Sequence, residues 1–399
     1  MQMDPVEDAD SRASILRQAM SLGALHGTDA LTARKISKAA GLSTSTVNYQ
    51  FGGVDGLMAA LFSALAQSAA EWRKRKVGLG KPEESPVQFV VDRLQELTGP
   101  LGAQTLLLAE MMVASSHPDH DLHAVTVQET YANVTFWRSA LKPWGDTALT
   151  RLLAIAATAA FGIIVSDPEF WMAENRYRAT LERLADRLDN RPLAPNEAFE
   201  VVAFPQYAGK IPRGKKLILE AAIRLIGERG VGHLTHRNVA AEAGLSLAAT
   251  TFFFKDKPEI IFEAFRYLHS EKIIPPGFPP GDVSAAEMLL DPDGEPRWTS
   301  NIYRAFCLYA ARNPSLANIL RSRWGSVPLL RLKGHGVDKA DALDGYLDIF
   351  LLGGLQEITK TVAKANRRSF LDSEEQNQFD WLYRERAIRR APSCKLSKR

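Results

Sequence analysis

Thr44, Ser45, Asn48 and Tyr49 fall on one side of a short helical stretch whose Val47 and Phe51, four residues apart, fall on the other. Hydroxyls, an amide and a phenol in that arrangement are tools of recognition. A polar helix behind a tight turn is the geometry that lays side chains into a DNA major groove. Catalytic signatures do not accompany it: there is no Gly-rich phosphate loop after a strand, no G-x-S-x-G elbow and no H-E-x-x-H pair. The one metal-like group is His117-Pro-Asp-His-Asp-Leu-His123, with histidines at i, i+3 and i+6. The corresponding second-half segment, Asn313-Pro-Ser-Leu316, keeps only the proline, as a helix start with Pro at its first position would. No metal, cofactor or enzymatic activity is expected.

The elements that must hold the polar helix are legible upstream of it. Ile15, Leu16, Ala19 and Leu22 form one apolar helical stripe, and Gly27 ends it. Thr32 caps a second helix whose Ile36, Ala39 and Ala40 are expected to face inward. Gly41-Leu42-Ser43 then makes the turn: Gly for a positive φ, Leu as a core plug, Ser as cap of the third helix.

This arrangement occurs twice. Ile15–Leu57 and Ile218–Ile260 align without a gap at an offset of 203, with 13 of 43 positions identical. Ala40-Gly41-Leu42-Ser43 recurs whole as Ala243-Gly244-Leu245-Ser246, and Phe51 answers Phe254. An offset this large is far beyond a solenoid repeat and marks a duplicated domain. Between the copies lie Pro192, Pro195, Pro205 and Pro212, a density that resists helix and makes a semi-rigid connector.

Both halves read as helical throughout. The first predicts helices near 11–26, 32–39, 43–49, 54–76, 84–98, 101–115, 119–141, 146–166 and 171–189; the second, near 298–312, 315–324, 339–365 and 373–390. Composition agrees with an ordinary globular chain of 399 residues, 46% hydrophobic and 24% charged. The net charge of +3 means that any nucleic-acid surface must come from local clustering, such as Arg73-Lys74-Arg75-Lys76, Arg213 with Lys215 and Lys216, or the basic stretch from Arg384. Two cysteines, Cys307 and Cys394, exclude a disulfide scaffold and suit a reducing cytoplasm. Met1–Asp10 is acidic and without an apolar core, unlike a secretory signal. The longest apolar run, Leu152–Val165, is 14 residues and reads as a buried helix, so no membrane partner is expected.

The run from Ala40 to Phe51, with Leu31-Thr-Ala-Arg-Lys-Ile36 before it, resembles the recognition segment of the tetracycline-repressor (TetR) family. Leu234-Thr-His-Arg-Asn-Val239 and the run from Ala243 to Lys257 resemble it too. The resemblance implies an all-α chain of two tandem TetR-like units, each a three-helix DNA-binding domain followed by a helical ligand-binding and dimerisation domain. The implied division is 8–52 and 53–190 for the first unit, a linker at 191–209, 210–255 and 256–390 for the second, and a basic tail at 391–399. The implied function is a cytoplasmic transcriptional regulator, a repressor released from operator DNA by a small-molecule effector. A helical interaction module whose copies no longer bind DNA is the second reading.

Carried over by position, the DNA-contacting residues are Arg34, Lys35, Thr44, Ser45, Thr46, Asn48, Tyr49 and Gln50 in the first copy. In the second they are His236, Arg237, Leu247, Thr250, Thr251, Phe252, Lys255 and Lys257, with Lys257 in the place of a phosphate-binding lysine. The second set has few hydrogen-bonding side chains, so its readout would lean on thymine methyls and shape. Met111, Met112, Phe136, Trp137 and Phe161 are candidates for an effector pocket in the first half; Phe306, Tyr309, Trp324, Tyr346 and Phe350 are those of the second. Cys307 reads as a buried structural thiol, and His335 as a loop residue without a partner. The apolar helices around 149–165 and 343–358 are expected to pair within one chain as a pseudo-dimer, further homodimerisation being open.

Overall fold

The computed structural model describes residues 5–191, 193, 210–273 and 283–383, and among these it holds helices and no strand. The first unit opens with α1 (Pro5–His26), α2 (Ala33–Ala40) and α3 (Thr44–Phe51). Its body follows as α4 (Val54–Lys76), α5 (Pro86–Thr98), α6 (Gly102–Ala114), α7 (His123–Ala140), α8 (Ala148–Ser166), α9 (Pro168–Met172) and α10 (Arg176–Leu188). The second unit opens with α11 (Arg213–Arg229), α12 (His236–Ala243) and α13 (Leu247–Phe253). Its body comprises α14 (Lys257–Leu268), α15 (Ala285–Leu289), α16 (Trp298–Ala310), α17 (Ala317–Gly334), α18 (Ala342–Thr359) and α19 (Arg367–Leu382). Most of the connector expected at 191–209, and all of the tail at 391–399, lie outside the described residues.

Two helix boundaries and one residue's surroundings differ from expectation for local reasons. The helix expected at 171–189 is interrupted where Glu174 and Asn175 adopt positive φ. The helix expected at 315–324 continues as α17 to Gly334, carrying Pro328 inside it. His335 follows that helix and is partnered: its Nε2 lies 3.3 Å from the Val283 carbonyl, and its ring packs on Phe379.

α8 and α18 form the centre of the molecule. The apolar run noticed in the sequence is part of a 19-residue helix, long and apolar enough to cross a bilayer. Here protein covers it instead, and Leu152, Leu153, Ala156, Ala157 and Ala160 are fully buried. Close approach is built in by Gly354 on α18, where an added Cβ would stand 1.9 Å from the Ile155 carbonyl oxygen. Around this seam lie ion pairs between the units. Arg187 holds Asp344 through two bonds, one of them Nε–Oδ1 at 2.9 Å. Arg183 reaches Asp341 at 2.8 Å, and Arg321 holds both oxygens of Asp167 at 2.7 and 2.9 Å. Buried charges stay folded only when paired in this way.

Candidate nucleic-acid interface and effector cavity

Each three-helix opening is locked by the same local devices. Thr32 Oγ1 accepts from the Lys35 amide and Ser43 Oγ from the Thr46 amide; Thr235 and Ser246 do the same for Asn238 and Ala249. Each such cap stabilises its helix by about 1 kcal/mol. Gly41 and Gly244 sit at φ 68° and 65°, the left-handed conformation that lets the turn close. Arg12 lies 4.3 Å over the Phe51 ring, and Lys215, 203 residues on, lies 5.5 Å over Phe254. The duplication therefore extends upstream of the aligned block into matching cation–π contacts.

On the first copy Arg34, Lys35, Thr44, Ser45, Asn48 and Tyr49 are exposed, Tyr49 by 73%. Thr46 and Gln50 are half-buried. The Thr44 hydroxyl lies 3.4 Å from Ser37, and Ser45 and Thr46 share hydrogen bonds with the Ser43 cap. Gln50 accepts at its carbonyl from Arg12. The inward residues of α2 are Ile36 and Ser37, whereas Ala39, expected inward, is exposed.

On the second copy Arg237, Leu247, Thr251, Phe252 and Lys255 are exposed. Thr251 donates to carbonyls of its own helix at 3.1 and 3.2 Å. Phe252 is 81% exposed and meets Phe253 edge-on. His236 turns inward, its Nε2 3.1 Å from the Phe254 carbonyl. Thr250 is a correction: it is fully buried and cannot touch DNA. It occupies the slot of inward-facing Val47 at the 203-residue offset, so the alignment itself held the signal. Lys257, half-buried, pairs with Asp29 of the first copy at 2.6 Å. Beside that pair Arg312 of the second unit binds Glu110 and donates to the carbonyls of Gly23 and Ala24, each at 3.2 Å. Burial pushes the Glu110 carboxyl up to about 7 against the pull of Arg312.

Two of the basic clusters are partly spent on internal pairs: Arg73 binds Glu129, Lys76 Glu96 and Lys215 Glu263. The stretch from Arg384 lies outside the described residues.

The helical bodies enclose a cavity of about 730 Å³. Of the ten aromatic and methionine candidates, Met112, Phe161 and Trp324 line it. The other seven are corrections, each committed to packing elsewhere. Met111 fills the core beneath the first DNA-binding domain, and Phe136 and Trp137 pack on each other at 5.0 Å, with Phe136 on Trp72. Phe306 packs on Phe265, and Tyr346 and Phe350 gather around Trp171. Tyr309 is half-buried and not on the wall. Sequence reasoning missed the polar wall: Asn133, Arg304, Arg331, Asp348, Gln356 and Glu357. The available signal was polar residues inside an otherwise apolar helix around 343–358. Cys307 is buried as expected, on the cavity wall. Among the described residues no three His, Cys, Asp or Glu side chains gather as a metal site.

Two capped helix-turn-helix domains with exposed third helices, each leading into a helical body, define a DNA-binding transcriptional regulator. The comparison with known families agrees: the model for bacterial regulatory proteins of the tetR family matches residues 15–61 and again 218–264. The chain thus carries two tetR-family DNA-binding domains in tandem. No curated protein matches it.

Proposed function

We propose that the protein is a ligand-relieved repressor in which the two units of one chain pair as a pseudo-dimer. The observation that carries this is the asymmetry of two intact helix-turn-helix scaffolds around one shared helical seam. Fusion supplies each unit with a partner at millimolar effective concentration, so the pairing of α8 with α18 within a chain outcompetes pairing between chains. The working division is that drawn from the sequence, with the DNA-contacting set Arg34, Lys35, Thr44, Ser45, Thr46, Asn48, Tyr49, Gln50, His236, Arg237, Leu247, Thr251, Phe252, Lys255 and Lys257. TetR-family regulators are generally non-enzymatic, soluble and cytoplasmic, and this chain is assigned the same place.

The mechanism is a population shift. Effector in the cavity favours a spacing of α3 and α13 that no longer fits successive major grooves, about 34–36 Å or a multiple apart. Selection from random DNA tests this. The full chain should recover two unlike half-sites while running at the 44.1 kDa of one chain. A perfect palindrome, or twice that mass at low concentration, overturns the pseudo-dimer. No shift of any fragment at low salt overturns the regulator.

A further inference from the structure

We infer that the cavity takes one uncharged, elongated and largely apolar molecule per chain, hydrogen-bonded at Gln356 and Asp348 and walled by both units. The inference rests on the effector reading above and names what that effector is. The volume is drug-sized. A smaller pocket in the first unit, around Trp72 and Arg73, is about 70 Å³ and too small for such a molecule. Trp72, Phe136 and Trp137 pack together in that body. The large cavity is one that both units wall. Its wall takes Met112, Asn133 and Phe161 from α6, α7 and α8 of the first unit, and Trp324, Ile349 and Leu352 from α17 and α18 of the second.

The charges on the wall are already matched by protein. Arg304 binds Glu357, which also takes Lys360 at 3.0 Å. Arg331 lies between Asp348 and Glu375, with His335 3.9 Å from the same Glu375 oxygen. Arg297 donates to the Leu290 carbonyl and lies 3.8 Å from Asp291, and Glu287 accepts from the Ser284 amide that it caps. An ionised ligand would enter a desolvated space without a counter-ion of its own, which disfavours its binding. Burial also pushes the Asp348 carboxyl up, which is the same penalty on charge in this space.

What the wall lacks is hydrogen-bond partners. Gln356 Nε2 and Asp348 Oδ2 are both buried and have none among the described residues. They stand on one face of α18 two turns apart, roughly 12 Å at helical rise, with Leu352 and Gly353 between them. The complementary molecule has an apolar middle and neutral polar groups, such as hydroxyl or carbonyl, toward its ends.

Nile red, which is uncharged, is the probe for the full-length chain, with fluorescence titration for affinity and native mass spectrometry for stoichiometry. One Nile red per chain is expected, displaced by the terminal diol of decane at about tenfold lower concentration than by decanoate or decylammonium, a difference of about 1.4 kcal/mol. Two Nile red molecules per chain, or an ion as the best competitor, overturns the inference. Gly162 of α8 faces open space where a Cβ meets nothing within 4 Å. Gly162→Leu should therefore block the site from the first unit's side with the helical spectrum and DNA shift unchanged; undiminished Nile red binding removes the shared wall. Gln356→Leu, which replaces an unpartnered amide and should fold, is expected to weaken the diol several-fold but not Nile red's apolar contacts; no change removes the hydrogen-bonding point. A chain that shifts DNA yet prefers decanoate fails here alone, whereas one that binds the diol and no DNA fails as a regulator alone.

Discussion

In the first copy Asn48 and Tyr49 project from α3 without a hydrogen-bond partner among the described residues; in the second the same slots hold Thr251, bonded to its own helix, and Phe252. Beneath them the two copies are close to interchangeable: Thr and Ser caps, a left-handed glycine in the turn, a cation over a buried phenylalanine. Their ends diverge again. α3 stops at Gly52 in a left-handed cap, whereas α13 stops at extended Phe254 and hands over to Asp256, which caps α14 through the Glu259 amide. Packing and capping constrain the scaffold at every position, while an exposed side chain answers only to its partner. The copies have therefore kept what folding demands and parted in what DNA would read.

The largest effect is expected where the copies are bolted together. Arg312→Ala leaves Glu110 buried without its cation and the Gly23 and Ala24 carbonyls without a donor. It should destabilise the chain by about 3–5 kcal/mol in denaturant melts. Loss of less than about 1 kcal/mol would show that the copies are independent. The same site carries a pH signature. Glu110 titrates near 7 when folded and near the ordinary 4.5 when unfolded, so the folded chain holds the proton more tightly. Its stabilising contribution is complete below pH 4.5 and is lost as pH rises through 7. Glu110→Gln should flatten the melting temperature across that window; an unaltered slope places the titration elsewhere.

Next in size is the reading surface. Asn48→Ala should cost roughly 1–3 kcal/mol of operator affinity and relax preference at one base position. Thr251→Ala, at the matched slot, should leave base preference unchanged because its hydroxyl is already satisfied. A uniform loss over all sequences in the first variant would make Asn48 a backbone contact. Equal base-specific losses in both variants would erase the difference between the copies.

A smaller change tests the interior. Thr250→Val installs the residue that the first copy has at this slot and removes a buried hydroxyl without a partner. Stability should rise by about 1 kcal/mol with DNA affinity untouched; weaker DNA binding would return Thr250 to the interface. The smallest effect belongs to Lys257→Ala. Its pair with Asp29 is partly exposed, so stability should change by about 0–1 kcal/mol. The DNA readout separates two roles: a lysine that leaves Asp29 for phosphate would lower the salt slope by about one, and a purely structural lysine would not move it.

Fold class, duplication and the turn chemistry were legible from the residues, because caps, turn glycines and apolar periodicity act over a few positions and leave their mark in sequence. Even the buried Thr250 was readable, by register against Val47. The cavity was not. An aromatic side chain looks the same in sequence whether it fills a core, as Trp137 and Phe350 do, or lines a space, as Phe161 and Trp324 do. The difference depends on how close distant helices come, and that distance is decided by contacts such as Gly354 against Ile155, 199 residues away. The Lys257–Asp29 pair and the unpartnered amide of Gln356 are products of the same long-range placement. Local rules determined the two DNA-binding scaffolds; only tertiary packing decided how the copies meet and that they share one cavity.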